Sequence, residues 1–146
     1  MEVETGILIK RDVEDVFAFI TDPGAQSQWQ AATLENKKLT DGPVGIGTQI
    51  QHLGKFLGKK IETIAEVIEY EPHSQYRYKS IQGFMPVDMQ YILEPEQGGT
   101  KLKLIAGGSL GGFFTLVEPL VAMASRRLIA SDLRRLKAVL ETQVKT

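Results

Sequence analysis

Cysteine is absent from this chain. That excludes a disulfide framework, a thiolate metal site and a cysteine nucleophile in one step. Histidine is nearly absent too: His52 and His73 lack any metal-ligand spacing, so no metal site and no cofactor is expected. Long apolar runs are missing, and nothing approaches the roughly 20 residues that span a bilayer. The first residues, Met-Glu-Val-Glu-Thr, are acidic where a secretory signal needs positive charge. An excess of one charge is lacking as well, since 17 basic residues face 18 acidic ones for a formal net charge of −1. Such a chain carries no long-range field to attract nucleic acid or an anionic membrane. The expectation is a cytoplasmic protein with no nucleic-acid partner and no integral membrane association; a weak homodimer stays open.

What is present is enough apolar material for a core. At 146 residues with 42% hydrophobic composition, one unit over 1–146 is the natural size. Val3, Thr5, Ile7 and Ile9 alternate with Glu2, Glu4 and Lys10, the period-2 pattern of a strand with one buried face. Asp12 stands at an N-cap position, and Val13, Val16, Phe17 and Ile20 recur at helical spacing up to the Asp22-Pro23-Gly24 breaker. Gln26 to Trp29 reads as a further helical turn, with the single tryptophan packed inward.

Residues 31–108 read as six strands separated by turns at Asp41-Gly42-Pro43, Glu71-Pro72-His73-Ser74, Gly83 and Gln97-Gly98-Gly99. Alternation assigns an inward face to Ile46, Thr48, Ile50 and His52, to Ile61, Thr63, Ala65 and Val67, and to Tyr76, Tyr78 and Ser80. Met85, Val87, Met89, Tyr91 and Leu93, then Leu102, Leu104 and Ala106, continue it. Glu62, Glu66, Asp88 and Glu94 fall on the outward phase. After Gly107-Gly108-Ser109 the period becomes helical. Ala122, Ile129, Leu133, Leu136 and Leu140 form one stripe, opposite Arg126, Arg127, Arg134, Arg135 and Lys137, which read as a solvated back partly offset by Glu118, Asp132 and Glu141. Pro119 should begin this long helix or kink it. A one-faced sheet covered by one long helix is a two-layer α+β arrangement.

The phrases Val16-Phe17-Ala18-Phe19-Ile20-Thr21-Asp22-Pro23 with Trp29, and Gly42-Pro43-Val44-Gly45-Ile46-Gly47-Thr48, carry a family resemblance. So do Val67-Ile68-Glu69-Tyr70-Glu71-Pro72, Tyr91-Ile92-Leu93-Glu94-Pro95 with Gly98-Gly99-Thr100, and Asp132-Leu133-Arg134-Arg135-Leu136-Lys137. In this order, over nearly the whole chain, they resemble the polyketide cyclase/dehydrase branch of the START-like (SRPBCC, helix-grip) superfamily. The resemblance implies a curved seven-stranded antiparallel sheet wrapped around a long C-terminal helix, with two short helices between the first and second strands. It also implies a cavity between sheet and helix. Members of the superfamily include aromatase/cyclases, lipid and hormone carriers and quinone-binding proteins, so it implies no single reaction.

His52, in phase with Thr48 and Ile50, is the best candidate for acid-base work or for hydrogen-bonding a ligand carbonyl. Its plainer role is a histidine satisfied by neighbouring backbone. Tyr76, Tyr78 and Tyr91 offer apolar rings with hydroxyls that need partners when buried, Ser80 and Thr63 add weaker polar groups, and Met85, Val87 and Met89 are adaptable lining or plain core. Trp29, Ile50, Ala65 and Leu104 complete the expected wall. Phe113, Val117 and Val121 would close a lid end hinged at Gly107, Gly108, Gly111 and Gly112. The glycines lack a following Gly-Lys-Ser/Thr, so phosphate binding is not expected.

Three functions follow. The first is a binding module for a small hydrophobic molecule, a lipid, polyketide or other aromatic metabolite, in a cavity of roughly several hundred Å³. The second is a cyclase, aromatase or dehydratase whose cavity folds a reactive chain, disfavoured by the outward phase of the acidic residues. The third is an interaction protein with a filled interior.

Overall fold

The computed structural model describes residues 2–56, 58–83, 86–107 and 118–142, without the side chains of Phe56, Glu118 and Val121. The alternating segment at the start forms β1 (Glu2–Ile9), followed by α1 (Val13–Ile20) and a 3₁₀ helix at Pro23–Gln28. Asp12 takes the extended N-cap conformation without a side-chain capping bond, whereas Asp22 caps the 3₁₀ helix by accepting the Gly24 N–H. Six further strands follow: β2 (Thr33–Lys38), β3 (Gln49–Phe56), β4 (Lys59–Glu71), β5 (Gln75–Gly83), β6 (Asp88–Glu96) and β7 (Gly99–Gly107). The described chain resumes in α2 (Glu118–Thr142), with Pro119 among its first described residues.

All seven strands pair antiparallel in the order β1-β7-β6-β5-β4-β3-β2. This is the expected curled sheet with a C-terminal helix against it. Left-handed residues make the turns: Gly58 between β3 and β4, His73 between β4 and β5, and Gly98 between β6 and β7.

The helical stripe packs as its spacing requires, with Ile129, Leu133, Leu136 and Leu140 buried and Ala122 half-buried against the same core. They meet Val3 and Ile9 of β1, Val16, Phe17 and Ile20 of α1, and Leu93, Leu102 and Leu104 of β6 and β7. Each fully buried Leu or Ile contributes about 1.5–3 kcal/mol relative to exposure. Arg126, Arg127, Arg134 and Arg135 are exposed, as expected of a solvated back, while Lys137 is half-buried. Arg135 donates to the Trp29 carbonyl at 3.1 Å and Lys137 to the Leu8 carbonyl at 2.7 Å. Asp132 lies on the inner side, only 7% exposed, because its carboxylate caps the Ala31 N–H at 3.1 Å.

Two strand irregularities correct the alternation. The pairing of β4 with β5 slips between Ile64 and Ala65 and again between Val67 and Glu69. The second slip expels Ile68 and turns Tyr70 onto the core face, where its ring meets Phe17 at 5.3 Å. Ile46, read as inward, is 72% exposed because it precedes β3, in the turn where Thr48 accepts the Gly45 N–H.

The β6–β7 turn runs against the end of β1. A Cβ at Gly99 would lie 2.2 Å from the Ile9 carbonyl oxygen, a backbone atom that the β1–β7 ladder holds in place. Gly99→Ala is therefore expected to cost about 1–3 kcal/mol. Urea unfolding measures it, and an unchanged midpoint would contradict the close approach.

Candidate binding cavity

One cavity opens on the inner face of the sheet. Its walls, among the described residues, are Gln26 of the 3₁₀ helix, Asn36 of β2, Ile50 and His52 of β3, Thr63 and Ala65 of β4, Tyr78 of β5, and Val87 just before β6. The strands supply these side chains in register: His52 pairs with both Asn36 and Thr63, and Ile50 with Ala65. Neighbours across strands project to the same face, so one sheet register assembles the site.

The cavity measures about 80 Å³. That is several times the roughly 10–15 Å³ one water needs, and well below the roughly 300–1,000 Å³ of sites that enclose drug-sized ligands. Aromatic rings pack together in the core beside it. All four tyrosines of the chain form a ladder: Tyr70 and Tyr76 at 6.2 Å, Tyr76 and Tyr78 at 5.7 Å, Tyr78 and Tyr91 at 6.2 Å. Trp29 closes it edge-on against Tyr91 at 6.5 Å. Among the described residues no α2 side chain lines the cavity; the 3₁₀ helix borders it together with β2 to β5.

Of the expected wall, Ile50, His52, Thr63, Ala65, Tyr78 and Val87 come together around the cavity. Trp29, Tyr76, Tyr91 and Leu104 are buried at 2% exposure or less and belong to the core behind it. Met89 is half-buried against that core, opposite Tyr78. Ser80 closes the β5–β6 connection, its N–H donating to the Val87 carbonyl and its Oγ accepting the Val87 N–H, each at 2.8 Å. Met85, Phe113, Val117 and the hinges Gly108, Gly111 and Gly112 lie outside the described residues, as does the Val121 side chain. Gln26 and Asn36 were not singled out from sequence. Gln26 sits on a 3₁₀ turn that has no simple period, and Asn36 lies in Glu35-Asn36-Lys37-Lys38, a wholly polar run with no apolar alternation to give its phase.

The polar end of the cavity holds two hydrogen-bonded groups, Gln30–Thr33–His52 and Asn36–Gln26. Thr33 Oγ1 donates to Gln30 Oε1 at 2.7 Å, and His52 Nε2 lies 3.0 Å from the same Thr33 oxygen. A hydroxyl has one hydrogen, already directed to Gln30, so the imidazole donates through Nε2 and Nδ1 keeps its lone pair. Burial holds the His52 pKa below its usual value, favouring this neutral form. Asn36 donates to Gln26 Oε1. Burial pushes the Tyr78 hydroxyl pKa up, opposed by the neighbouring Tyr91, Gln30 and Gln26 side chains. The Tyr91 hydroxyl is likewise pushed up by burial and then by Tyr78, but it stops short of hydrogen-bond geometry. Trp29 Nε1, Asn36 Oδ1 and Tyr91 Oη are buried without a hydrogen-bond partner. Gly54 makes room for the imidazole, since a Cβ there would lie 2.8 Å from His52 Cε1.

A histidine whose folded pKa is depressed contributes stability above its unfolded value of 6.5, and that contribution is lost as pH falls through 6.5 toward the folded pKa. Wild-type stability should therefore drop more steeply between pH 7.5 and 5 than that of His52→Gln. Parallel urea titrations measure the difference, and identical slopes would refute the buried neutral imidazole.

Among the described residues no group of three or more His, Cys, Asp or Glu could hold a metal ion, and no helix is long and apolar enough to cross a membrane. Comparison with known proteins places the chain. No curated protein matches it in sequence. A protein of Thermus thermophilus shares its fold with a TM-score of 0.80 at 19% identity, over 96% of this chain and 97% of that one. A START superfamily protein from Mycobacterium smegmatis superimposes with a TM-score of 0.80 at 16% identity, again over 96% and 97% of the two chains. A protein of Chromobacterium violaceum gives 0.71 at 18% identity over 98% and 99%. At these identities the likeness is one of fold. The sequence pattern that describes polyketide cyclase / dehydrase and lipid transport proteins matches residues 1–141. With nearly the whole chain matched and the START-like helix-grip architecture in place, this protein belongs to the polyketide cyclase / dehydrase and lipid transport family.

Proposed function

We propose that the protein binds a compact hydrophobic molecule in the cavity bordered by β2 to β5 and the 3₁₀ helix. The observation that carries this reading is a hollow with apolar walls and one polar end on the inner face of the sheet. Ile50, Ala65, Val87 and the Tyr78 ring supply the walls, while Gln26, Asn36, His52 and Thr63 supply the end. A filled interior, the arrangement an interaction protein would have, needs no hollow at this place. The cavity size favours a molecule about the size of a single ring over an extended acyl chain. A single aromatic ring buries roughly 150–250 Å², worth about 4–6 kcal/mol before the costs of association, so affinity can come from burial alone and the polar end can set orientation.

Catalysis is the weaker reading of the same cavity. His52 is the one imidazole on its wall, and the buried carboxylate of Asp132 is already engaged by Ala31 and Arg135, which leaves His52 without a carboxylate to form an acid-base pair among the described lining residues.

Native mass spectrometry of freshly purified protein should reveal a retained small molecule. Ala65→Leu, which places three more carbons in the hollow, should lower its occupancy at least tenfold while changing stability by less than about 1 kcal/mol. Full occupancy in the filled variant would remove the cavity from consideration as the binding site.

A further inference from the structure

The hydrogen-bonding inventory of the polar end restricts what the ligand can be. Asn36 Oδ1 is buried and unpartnered, while its own amide nitrogen is spent on Gln26. His52 Nε2 is spent on Thr33, and Nδ1 makes no hydrogen bond among the described residues. Both atoms are acceptors. Gln26 Oε1, by contrast, already takes the Asn36 N–H.

Charge is the second restriction. The described lining holds no lysine, arginine, aspartate or glutamate. His52 is held neutral by burial and by the hydrogen-bond pattern that places its proton on Nε2. An anion entering this cavity would meet these lone pairs and no cation, with only the neutral donors of Tyr78, Thr63 and Gln26 to replace part of its hydration. A hydrocarbon would leave Asn36 Oδ1 as it is, buried and unpaired, and gain nothing there.

Resting on the reading of this hollow as a ligand site, we infer that its ligand is electrically neutral and carries a hydrogen-bond donor, a hydroxyl or an N–H, which it presents to Asn36 Oδ1 and the imidazole Nδ1 of His52. The site is thereby a selector of neutral hydroxylated ring compounds against carboxylates of the same size. Gly54 acts as a positioning residue for this selection, because only the absence of its Cβ allows His52 Cε1 to lie over the β3 backbone.

Three probes of one shape test this: phenol, toluene and benzoate, titrated into the wild-type protein at pH 7.5 and followed by ligand-observed NMR. Phenol should bind about tenfold or more tightly than either of the others. Asn36→Leu should bring phenol down to the level of toluene and leave toluene unchanged. Asn36→Asp keeps an acceptor at this position, where the Gln26 amide can turn to donate, and should retain the preference for phenol over toluene; this second variant guards against a folding defect at β2. Equal binding of phenol and toluene would overturn the donor requirement while leaving the cavity reading intact. Benzoate binding the tightest would overturn the neutral-ligand assignment. Failure of all three probes to bind would overturn the cavity reading and this inference together.

Discussion

Asp132 of α2 accepts the Ala31 N–H at 3.1 Å, and three residues along the same helix Arg135 donates to the Trp29 carbonyl at 3.1 Å. These two contacts tie the long helix to the segment between the 3₁₀ helix and β2. The arrangement of the interior hangs on them. They hold Trp29 under the helix and against Tyr91, so the space between α2 and the middle of the sheet is occupied by rings. Burial raises the Asp132 pKa, and the Ala31 N–H and Arg135 act in the opposite sense. A buried carboxylate costs free energy unless it is paired, and here its pairing sets the chain entering β2 against the helix.

Once the aromatic half is filled, the remaining space lies toward β2, β3 and β4. Its walls are shorter and more polar than the core: Thr63 and Ala65 replace the leucines found in β6 and β7. Beside Ala65 the paired strand presents the small Ser80.

The polar end is built from three elements that are distant in sequence. Gln26 and Gln30 come from the 3₁₀ region, Thr33 and Asn36 from β2, and His52 from β3, and hydrogen bonds join Gln30, Thr33 and His52 in one group and Asn36 and Gln26 in another. Asn36 Oδ1 is left buried without a partner. Native interiors satisfy nearly all buried polar groups, so an acceptor left open beside a cavity is the feature that most narrows the chemistry of what the cavity receives.

The sequence by itself determined the strand and helix periods, the helical stripe from Ile129 to Leu140 and, through its phrases, the family and the helix-grip fold. These are readable because burial of one face imposes a period of 2 or 3.6 on neighbouring residues. It also brought out Ile50, His52, Thr63, Ala65, Tyr78 and Val87, which share an inner face with the hollow. What it left undecided was which inward residues border empty space and which fill it. Tyr76, Tyr78 and Tyr91 have the same phase, yet only Tyr78 lines the cavity, because the position of Trp29 depends on the Asp132 and Arg135 contacts made across a hundred residues of chain. Ile46 was misplaced by alternation, since a turn has no phase. Asn36 and Gln26 emerged only in three dimensions. Hollows and hydrogen-bond networks arise from how elements meet, and a local period carries no record of that.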